Sequence, residues 1–314
     1  MTPPEPSQGL TAARTPGERA HYGGFYDEAP DDGRPLLVVL GNCQAESLRR
    51  LLASDDVRTV RVPPVHELGP GDVPLLHRLV ARTSLLVVQP VGDGYRGLPL
   101  GTAQLRALLP EEARVALIPS VRYAGLHPWH LVVHPPGLPD PDPPVVAYHD
   151  VRTAALAAGL TPPDLDVLTV ARASVAELAR RERAGGLVPV SDLLAEPTAE
   201  SMRTVNHPGN AVLAPFAERI RATLGLPWRP PGTTAPLLTS VLAPLAPEVV
   251  TAHRLDGQPR AHWVAGGVEI SAAEVAAAHL AWYAERPDVL EVVLTRSRAL
   301  VSPAGPPGAD APAR

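Results

Sequence analysis

The stretch LLVVLGNCQAESLRRLL, residues 36–52, contains both the clearest fold signal and the best candidate for chemistry. Its first five residues are apolar and form a run of strand length, and Gly41 then permits a tight turn. From Glu46 onward the apolar side chains recur at helical spacing. A strand that is apolar throughout and leads directly into a helix is typical of a parallel sheet that is covered on both faces.

The same alternation of strands and helices continues to about residue 118. Strands are predicted at 57–62, 84–88 and 114–118, and helices at 72–81 and 102–109. Consecutive strand, helix and strand units of this kind predict a parallel sheet that is flanked by helices. The first part of the chain is therefore of the α/β class.

Beyond about residue 148 the pattern changes to helices, and no further strand is predicted before the C-terminal part. The predicted helices cover 150–160, 164–186, 190–196 and 210–225. The second of them is long enough to brace the sheet. These segments add helices to the α/β core.

The C-terminal part is predicted to be a small α+β extension. It contains a hairpin around Asp256-Gly257, a helix over 271–285 and a strand over 289–301. Ser271 and Glu274 have the spacing of a capping box at the start of that helix.

The distribution of proline, glycine and acidic residues divides the chain into four parts. A loosely ordered tail is expected over 1–34, an α/β domain over 35–226, the extension over 237–302 and a second tail over 303–314. The proline-rich stretch at 226–236 is the predicted linker between the domain and the extension.

The composition argues against several classes of protein. The 314 residues carry a formal net charge of −5, which argues against a protein that binds nucleic acid or an anionic membrane. All 28 basic residues are Arg. With one Cys, neither an intramolecular disulfide nor a multi-thiolate zinc site can form. The first 35 residues lack a signal-peptide pattern, and no stretch approaches the roughly 20 apolar residues of a membrane span, so a soluble, cytoplasmic protein is predicted.

Cys43 is the strongest candidate for a reactive residue. It follows the first strand and lies at the N-terminus of the next helix, where the dipole and unpaired backbone N–H groups favour thiolate over thiol. The same N–H groups, with the amides of Asn42 or Gln44, predict a site that binds an oxyanion. The alternative is a structural Cys that packs as a small hydrophobe.

A thiolate nucleophile needs a base, and His207 is the most informative histidine. It lies with Asn206 in the polar loop NHPG directly ahead of a predicted helix, and Pro208 makes the position rigid. The alternative is a helix-capping loop with an incidental histidine. His127 follows the strand at 114–118 and is also predicted to reach the carboxyl edge of the sheet.

A metal site is not expected from the remaining histidines. His130 and His134 are four residues apart, but Pro135 and Pro136 close the stretch and no Glu stands between the two histidines. The pattern therefore does not match an HExxH zinc helix.

Two further loops follow predicted strands and open on the same edge as Cys43. One contains Gln89, Tyr95 and Arg96, and the other contains Arg122 and Tyr123. Arginine suits phosphate or carboxylate, tyrosine suits stacking, and glutamine suits hydrogen bonding. Neither a GxGxxG nor a GxxxxGK[ST] motif occurs, so the usual dinucleotide and P-loop sites are not supported.

Four blocks of sequence, in this order, resemble the WcbI-like family of polysaccharide-biosynthesis acetyltransferases. The resemblance covers roughly residues 36–225, and its most specific elements are GNCQ and NHP; the blocks are GNCQAESLRRLL, VVQPVGDGYRGLPLGTAQL, IPSVRYAGLHP and MRTVNHPGNAVL. It implies an α/β domain with a three-layer core similar to SGNH hydrolases, in which Cys replaces the nucleophilic Ser.

The resemblance also implies a function and a set of site residues. The protein would bind coenzyme A, use acetyl-CoA as co-substrate and act as an O-acetyltransferase on a capsular or other glycan, with no metal. Cys43 matches the family's proposed catalytic Cys, and His207 matches the His of the family's NHP element; both are the predicted catalytic residues. The predicted pocket and cofactor residues are Asn42, Gln44, Gln89, Tyr95, Arg96, Arg122, Tyr123, His127 and Asn206. The sequence does not fix the oligomeric state, and a homo-oligomer is one of the alternatives.

Two rival functions use the same residues differently. A thiol esterase or other hydrolase would need nearly the same site, with water as the acceptor. A non-catalytic ligand-binding protein would leave Cys43 with a structural role only.

Overall fold

The computed structural model describes residues 15–27, 31–135, 137–256 and 258–301. The chain divides into two compact units, of which the first ends at Ala116 and the second begins at Leu117. This division differs from the domain limits expected near 226–236, which stay a prediction.

The first unit alternates strands and helices. Its elements are α1 (Pro16–His21), α2 (Gly23–Tyr26), β1 (Leu36–Leu40), α3 (Cys43–Leu52), β2 (Arg58–Val60), α4 (Val73–Val80), β3 (Leu85–Val88), α5 (Thr102–Arg106) and β4 (Arg114–Leu117), with short 3₁₀ turns at Val65–Glu67 and Tyr95–Gly97. Every strand and helix predicted between residues 36 and 118 is present.

The strands of the first unit form a parallel sheet in the order β2-β1-β3-β4. Val38 of β1 pairs with Val60 on one side and with Leu86 on the other, both in parallel register. All five residues of β1 and all four of β3 are buried. The predicted α/β class, with a parallel sheet and flanking helices, is confirmed.

Part of the segment expected to be a loosely ordered tail is helical. Phe25 and Tyr26 of α2 are buried, and the Tyr26 hydroxyl donates to Asp72 Oδ1 at 2.9 Å. These helices are held by two buried aromatic side chains and by a bond to a residue 46 positions away. Because such support leaves no periodic pattern in the local sequence, the helices were not predicted. Residues 1–14 and 28–30 lie outside the described residues.

The second unit contains more helices and shorter strands. Its elements are β5 (His130–Leu131), β6 (His149–Asp150), α6 (Val151–Ala157), α7 (Val167–Gly185), a 3₁₀ turn (Ser191–Leu194), β7 (Met202–Thr204), β8 (His207–Pro208), α8 (Asn210–Thr223), β9 (Val241–Leu242), α9 (Pro247–His253), β10 (His262–Ala265), β11 (Val268–Ser271), α10 (Ala272–Glu285) and α11 (Pro287–Val301). The four helical segments predicted between residues 148 and 226 are present, the third as the 3₁₀ turn.

The expectation of no strand in this region before the C-terminal part was wrong. β6 pairs antiparallel with β5, and β7 pairs antiparallel with β8. Each of these strands has only two or three residues, which is too short for an alternating pattern to be read from the sequence.

Two further predictions in the C-terminal part were wrong. The hairpin joins β10 to β11 and turns at Gly266 and Gly267, whose φ angles of 58° and 83° favour glycine, and not around Asp256. The other residue of the expected turn, Gly257, lies outside the described residues. The segment expected as a strand over 289–301 is part of helix α11, and its buried Val289 and Val293 are four residues apart. Its β-branched residues suggested a strand, but tertiary packing overrides that weak preference.

The C-terminal elements share their cores with the rest of the second unit. Tyr283 of α10 and Val293 of α11 pack in one apolar cluster with Ala154 of α6. The predicted α10 is confirmed, and the Ser271 hydroxyl accepts from the Glu274 N–H at its N-terminus. Among the described residues, no helix combines the length and apolar character needed to cross a membrane.

Candidate functional site

The first part of the candidate site is the turn between β1 and α3. Helix α3 begins at Cys43, and Asn42 is its N-cap, with Asn42 Oδ1 accepting from the Gln44 N–H at 2.9 Å. Asparagine is among the preferred N-cap residues because its side chain satisfies an N–H that has no partner within the helix. Cys43 therefore occupies the first helical position, and it is partly exposed.

Gln89, which follows β3, holds this turn from the neighbouring strand. Its Oε1 accepts from the Asn42 N–H at 2.8 Å, and its Nε2 donates to Gln44 Oε1 at 3.3 Å. Both glutamine side chains are buried. A Cβ atom on Gly41 would overlap with Gln89 Oε1, so the close approach requires glycine at that position.

The arrangement of this turn suits an anionic sulfur. The positive end of the helix dipole favours the thiolate of a Cys at the first helical position. Asn42, Gln44 and Gln89 bond to one another, so the structure gives them a positioning role for the turn. Their predicted contact with an oxyanion or ligand stays a prediction.

The loop that contains Tyr95 and Arg96 is held in an uncommon backbone conformation. Arg96 has φ 54° and ψ 31°, between Gly94 and Gly97, which also have positive φ. A non-glycine residue in this region is strained and is seen mostly where the surroundings hold it. The Arg96 guanidinium donates to the His66 carbonyl, and the residue is exposed, while Tyr95 is partly exposed.

The second part of the candidate site is the hairpin of β7 and β8, which contains His207. Thr204 pairs with His207, and Asn206 lies in the turn between the two strands. Gly209 follows as the N-cap of α8, and a Cβ atom there would overlap with the backbone carbonyl oxygen of Glu200. The NHPG sequence thus folds back closely on the segment that precedes β7.

Burial decides the charge of His207. It lowers the pKa of the imidazole to about 4, so His207 is neutral near pH 7 and can accept a proton. The ring of Tyr148 lies edge-on to the imidazole, with 6.3 Å between the ring centroids.

Neighbouring segments hold the hairpin at its backbone. The Tyr123 N–H donates to the Val205 carbonyl at 2.9 Å, and the Ala243 N–H donates to the Arg203 carbonyl at 2.8 Å. The predicted cofactor loop and the C-terminal extension therefore both bond to the segment that carries His207. The side chain of Tyr123 is buried, whereas Arg122 is partly exposed.

His127, predicted to bind the cofactor, lies in the core of the second unit. It is 2% exposed, its Nδ1 bonds to the Pro244 carbonyl at 3.1 Å, and its ring stacks on His130. Burial and the neighbouring His130 lower the pKa of His127 to about 3. The structure shows a neutral packing residue at this position, and a contact with a cofactor stays a prediction.

Among the described residues, no three His, Cys, Asp or Glu side chains cluster in a way that could hold a metal ion. His130 belongs to the short strand β5, and the His134 imidazole bonds to Asp142 Oδ1 at 3.0 Å. Neither residue is on a helix.

The predicted site residues fall into both units. Cys43 forms one cluster with Asn42, Gln44 and Gln89 in the first unit, and Asn206 and His207 lie together in the second. The joint action of Cys43 and His207 stays a prediction.

Sequence reasoning missed two residues of the second unit. The hydroxyls of Tyr148 and Thr204 both lie 3.0 Å from Asn206 Oδ1. Tyr148 is 58 positions from Asn206 and stands outside the conspicuous motifs, so no local signal points to it.

A family model described as "Polysaccharide biosynthesis enzyme WcbI" matches residues 36–229, which is more than half of the chain. The chain belongs to the WcbI family. The predicted family is thereby confirmed, together with the coarse prediction of an enzyme of polysaccharide biosynthesis. The matched range includes all the predicted site residues of this WcbI-family chain.

A solved structure of WcbI, described as a novel polysaccharide biosynthesis enzyme, has the same fold. It aligns with a TM-score of 0.63 and 21% identity, over 84% of this chain and 99% of that chain. It is described as the native protein without a disulfide bond between coenzyme A and one of its cysteines. No curated protein matches the sequence significantly. The comparison with SGNH hydrolases stays a prediction.

Proposed function

We propose that this WcbI-family chain is a CoA-dependent O-acetyltransferase that acts on a hydroxyl group of a glycan-type acceptor. The observation that carries the proposal is the position of Cys43, the first residue of α3, in a turn held by Gln89. A thiol at a helix N-terminus is disposed to react as the thiolate, which is the nucleophilic form.

The description of the WcbI structure supports coenzyme A as the ligand. That structure is described as the native protein without a disulfide bond between coenzyme A and a cysteine, so its description names both groups, and the present chain has a single cysteine, Cys43. Arg96 and Arg122, of which one is exposed and the other partly exposed, are the proposed partners of the CoA phosphates. Tyr95, also accessible, is a proposed contact for the remainder of the cofactor.

In the covalent route Cys43 accepts the acetyl group. The thiolate attacks the thioester carbon of acetyl-CoA, a new C–S bond forms, and CoA leaves as a thiolate that takes up a proton. The acceptor hydroxyl then gives its proton to His207 and attacks the acetyl carbon, and the Cys43 thiolate leaves.

In the direct route no bond to Cys43 forms. The acceptor hydroxyl gives its proton to His207 and attacks acetyl-CoA itself, and CoA again leaves as a thiolate that takes up a proton. Both routes yield CoA and an O-acetyl ester. The neutral imidazole of His207 near pH 7 suits the role of proton acceptor in either route.

Calorimetry with CoA and mass spectrometry with acetyl-CoA test the proposal. We expect CoA to bind to the full chain, and the covalent route predicts that the wild type, but not Cys43→Ala, gains the mass of one acetyl group. Absence of CoA binding would overturn the proposal. Full transfer to a panel of methyl glycosides by Cys43→Ala would overturn the covalent route alone.

The same assay without a glycoside distinguishes the hydrolase alternative. A hydrolase releases CoA from acetyl-CoA with water at the same rate whether or not a glycoside is present. A transferase releases CoA faster when the hydroxyl acceptor is added.

A further inference from the structure

The side chain of Asn206 is held by two buried hydroxyl groups. The Tyr148 hydroxyl donates to Asn206 Oδ1 at 3.0 Å, and the Thr204 hydroxyl lies 3.0 Å from both the Tyr148 oxygen and Asn206 Oδ1. Tyr148 is 5% exposed and Thr204 is fully buried. Both hydroxyls lie against the carbonyl oxygen of the carboxamide.

This triangle of oxygen atoms adjoins His207. Thr204 pairs with His207 across the hairpin, Asn206 precedes His207 in the chain, and the Tyr148 ring lies edge-on to the imidazole. β8 has only two residues, so regular backbone pairing contributes little to the position of the turn. Side-chain bonds in buried surroundings are stronger than in water, and they can supply that order.

A residue of the C-terminal extension, Trp263, packs against Tyr148. Trp263 of β10 is 3% exposed, and its ring stacks on Tyr148 with 5.8 Å between centroids and on His130 with 4.8 Å. Tyr148, Trp263 and Val205 belong to one apolar cluster. The extension therefore packs on the same aromatic side chain that bonds to Asn206.

We propose that Tyr148, aided by Thr204 and backed by Trp263, is a positioning residue that fixes the Asn206 carboxamide and the imidazole of His207. The inference rests on the proposed role of His207 as base. In this proposal Tyr148 contacts neither the acetyl donor nor the acceptor, and it acts through Asn206 and through its edge-on packing against the imidazole of His207. The extension beyond residue 237 thereby becomes part of the support of the site.

Tyr148→Phe is the direct test, because it removes the hydroxyl and keeps the ring that stacks on Trp263. Tyr283→Phe is the matched control: Tyr283 is 1% exposed in the same unit, and its hydroxyl bonds to His149 Nδ1 at 2.7 Å. Thr204→Val is a second variant that removes the other hydroxyl. All three are made in the full chain.

The first measurement is the titration of His207 by NMR on histidine-labelled protein, with the signal assigned through His207→Gln. We expect the pKa of His207 to rise from about 4 toward its ordinary value in Tyr148→Phe and Thr204→Val, because the loosened turn exposes the imidazole. In Tyr283→Phe it stays at the wild-type value. A wild-type titration curve in both Tyr148→Phe and Thr204→Val would overturn the inference.

The second measurement is acetyl transfer from acetyl-CoA to methyl glycosides. We expect kcat to fall about 10- to 100-fold in Tyr148→Phe, with KM for acetyl-CoA within about twofold, since misplacement of a catalytic group lowers kcat. Tyr283→Phe keeps the wild-type kcat, and an equal loss in both variants would contradict a positioning role. If the wild type transfers no acetyl group, the proposed function fails, while the titration still decides whether Tyr148 positions His207.

Discussion

The two units of the molecule hold their candidate residues in different ways. In the first unit, Cys43 is placed by a regular strand, turn and helix, and one side chain from the adjacent strand, Gln89, completes the turn. In the second unit, His207 is in a two-residue strand, and Tyr148, Thr204 and backbone groups of distant segments surround its turn.

The difference shows that a reactive residue can be positioned by neighbouring residues in the chain or by side chains from distant segments. The turn before Cys43 uses the geometry that every parallel strand and helix provides, with few extra contacts. The turn before His207 depends on buried polar side chains, which are stable only while all of their partners stay in place. We therefore expect the second unit to be more sensitive to acid and to small changes in volume.

The largest expected effect is acid destabilisation of the second unit. Burial lowers the folded-state pKa of His127 to about 3, and of His149 and His207 to about 4, whereas histidine in an unfolded chain titrates near 6.5. The unfolded state then binds more protons, so stability is complete above about pH 6.5 and is lost as the pH falls toward 4. At pH 5 each residue costs about 2 kcal/mol, from 1.5 pH units at about 1.4 kcal/mol per unit.

Tryptophan fluorescence reports this effect in the second unit, which contains all four tryptophans of the chain. We expect the urea midpoint to fall steeply between pH 7 and pH 5. His149→Phe should make the pH dependence shallower by one proton, because it removes a buried imidazole whose pKa is lowered to about 4. A midpoint independent of pH would contradict the burial of neutral histidines.

The next effect is that of Gly209→Ala in the second unit. The new Cβ would overlap with the Glu200 carbonyl oxygen, which is backbone and cannot move without shifting the segment before β7. We expect a loss of about 3 kcal/mol or more in the free energy of unfolding, read from the tryptophan transition in urea. Wild-type stability in this variant would show that the turn is looser than the structure indicates.

A smaller effect is expected for Gly41→Ala in the first unit. The overlap is with the end of the Gln89 side chain, which can rotate away once it gives up the bond to the Asn42 N–H. We expect a loss of about 1–3 kcal/mol, measured by pulsed alkylation of Cys43 across a urea series. Gly71→Ala is the control, since a Cβ there meets no atom within 4 Å; an equal loss in both alanine variants would refute the role of Gln89.

The smallest effect is expected at the N-terminus of α10. Ser271→Ala removes the hydroxyl that accepts from the Glu274 N–H, and such a change costs about 1 kcal/mol. Ser271→Asp keeps a capping oxygen and should keep most of the stability. Thermal unfolding followed by circular dichroism distinguishes the two variants, and equal melting temperatures would argue against the cap.

The predictability of the fold follows the same division between the units. The strands and helices between residues 36 and 118 were predicted because each extends over several residues and shows its own period. β5 to β8 were missed because they are too short for a period, and α11 was assigned to a strand because its valines outweighed its helical spacing. The helices before residue 27 depend on two aromatic anchors, which no local pattern reveals.

The candidate site, like the fold, was predicted only where it depends on residues close together in the chain. The position of Cys43 at a helix N-terminus followed from the turn after β1, and the hydrogen bond from Asn42 to Gln89 is consistent with two loops at one sheet edge. The contacts of Tyr148 did not follow from the sequence, because they join segments 56 to 58 positions apart.

The sequence alone determined the α/β class, the family and the placement of Cys43 at the start of a helix, since these depend on residues close together in the chain. Only the tertiary structure decided that Gln89 braces the Cys43 turn, that burial keeps His207 neutral, and that Tyr148 and Trp263 back the turn that carries it. Burial and long-range hydrogen bonds depend on the path of the whole chain, and local patterns do not specify that path.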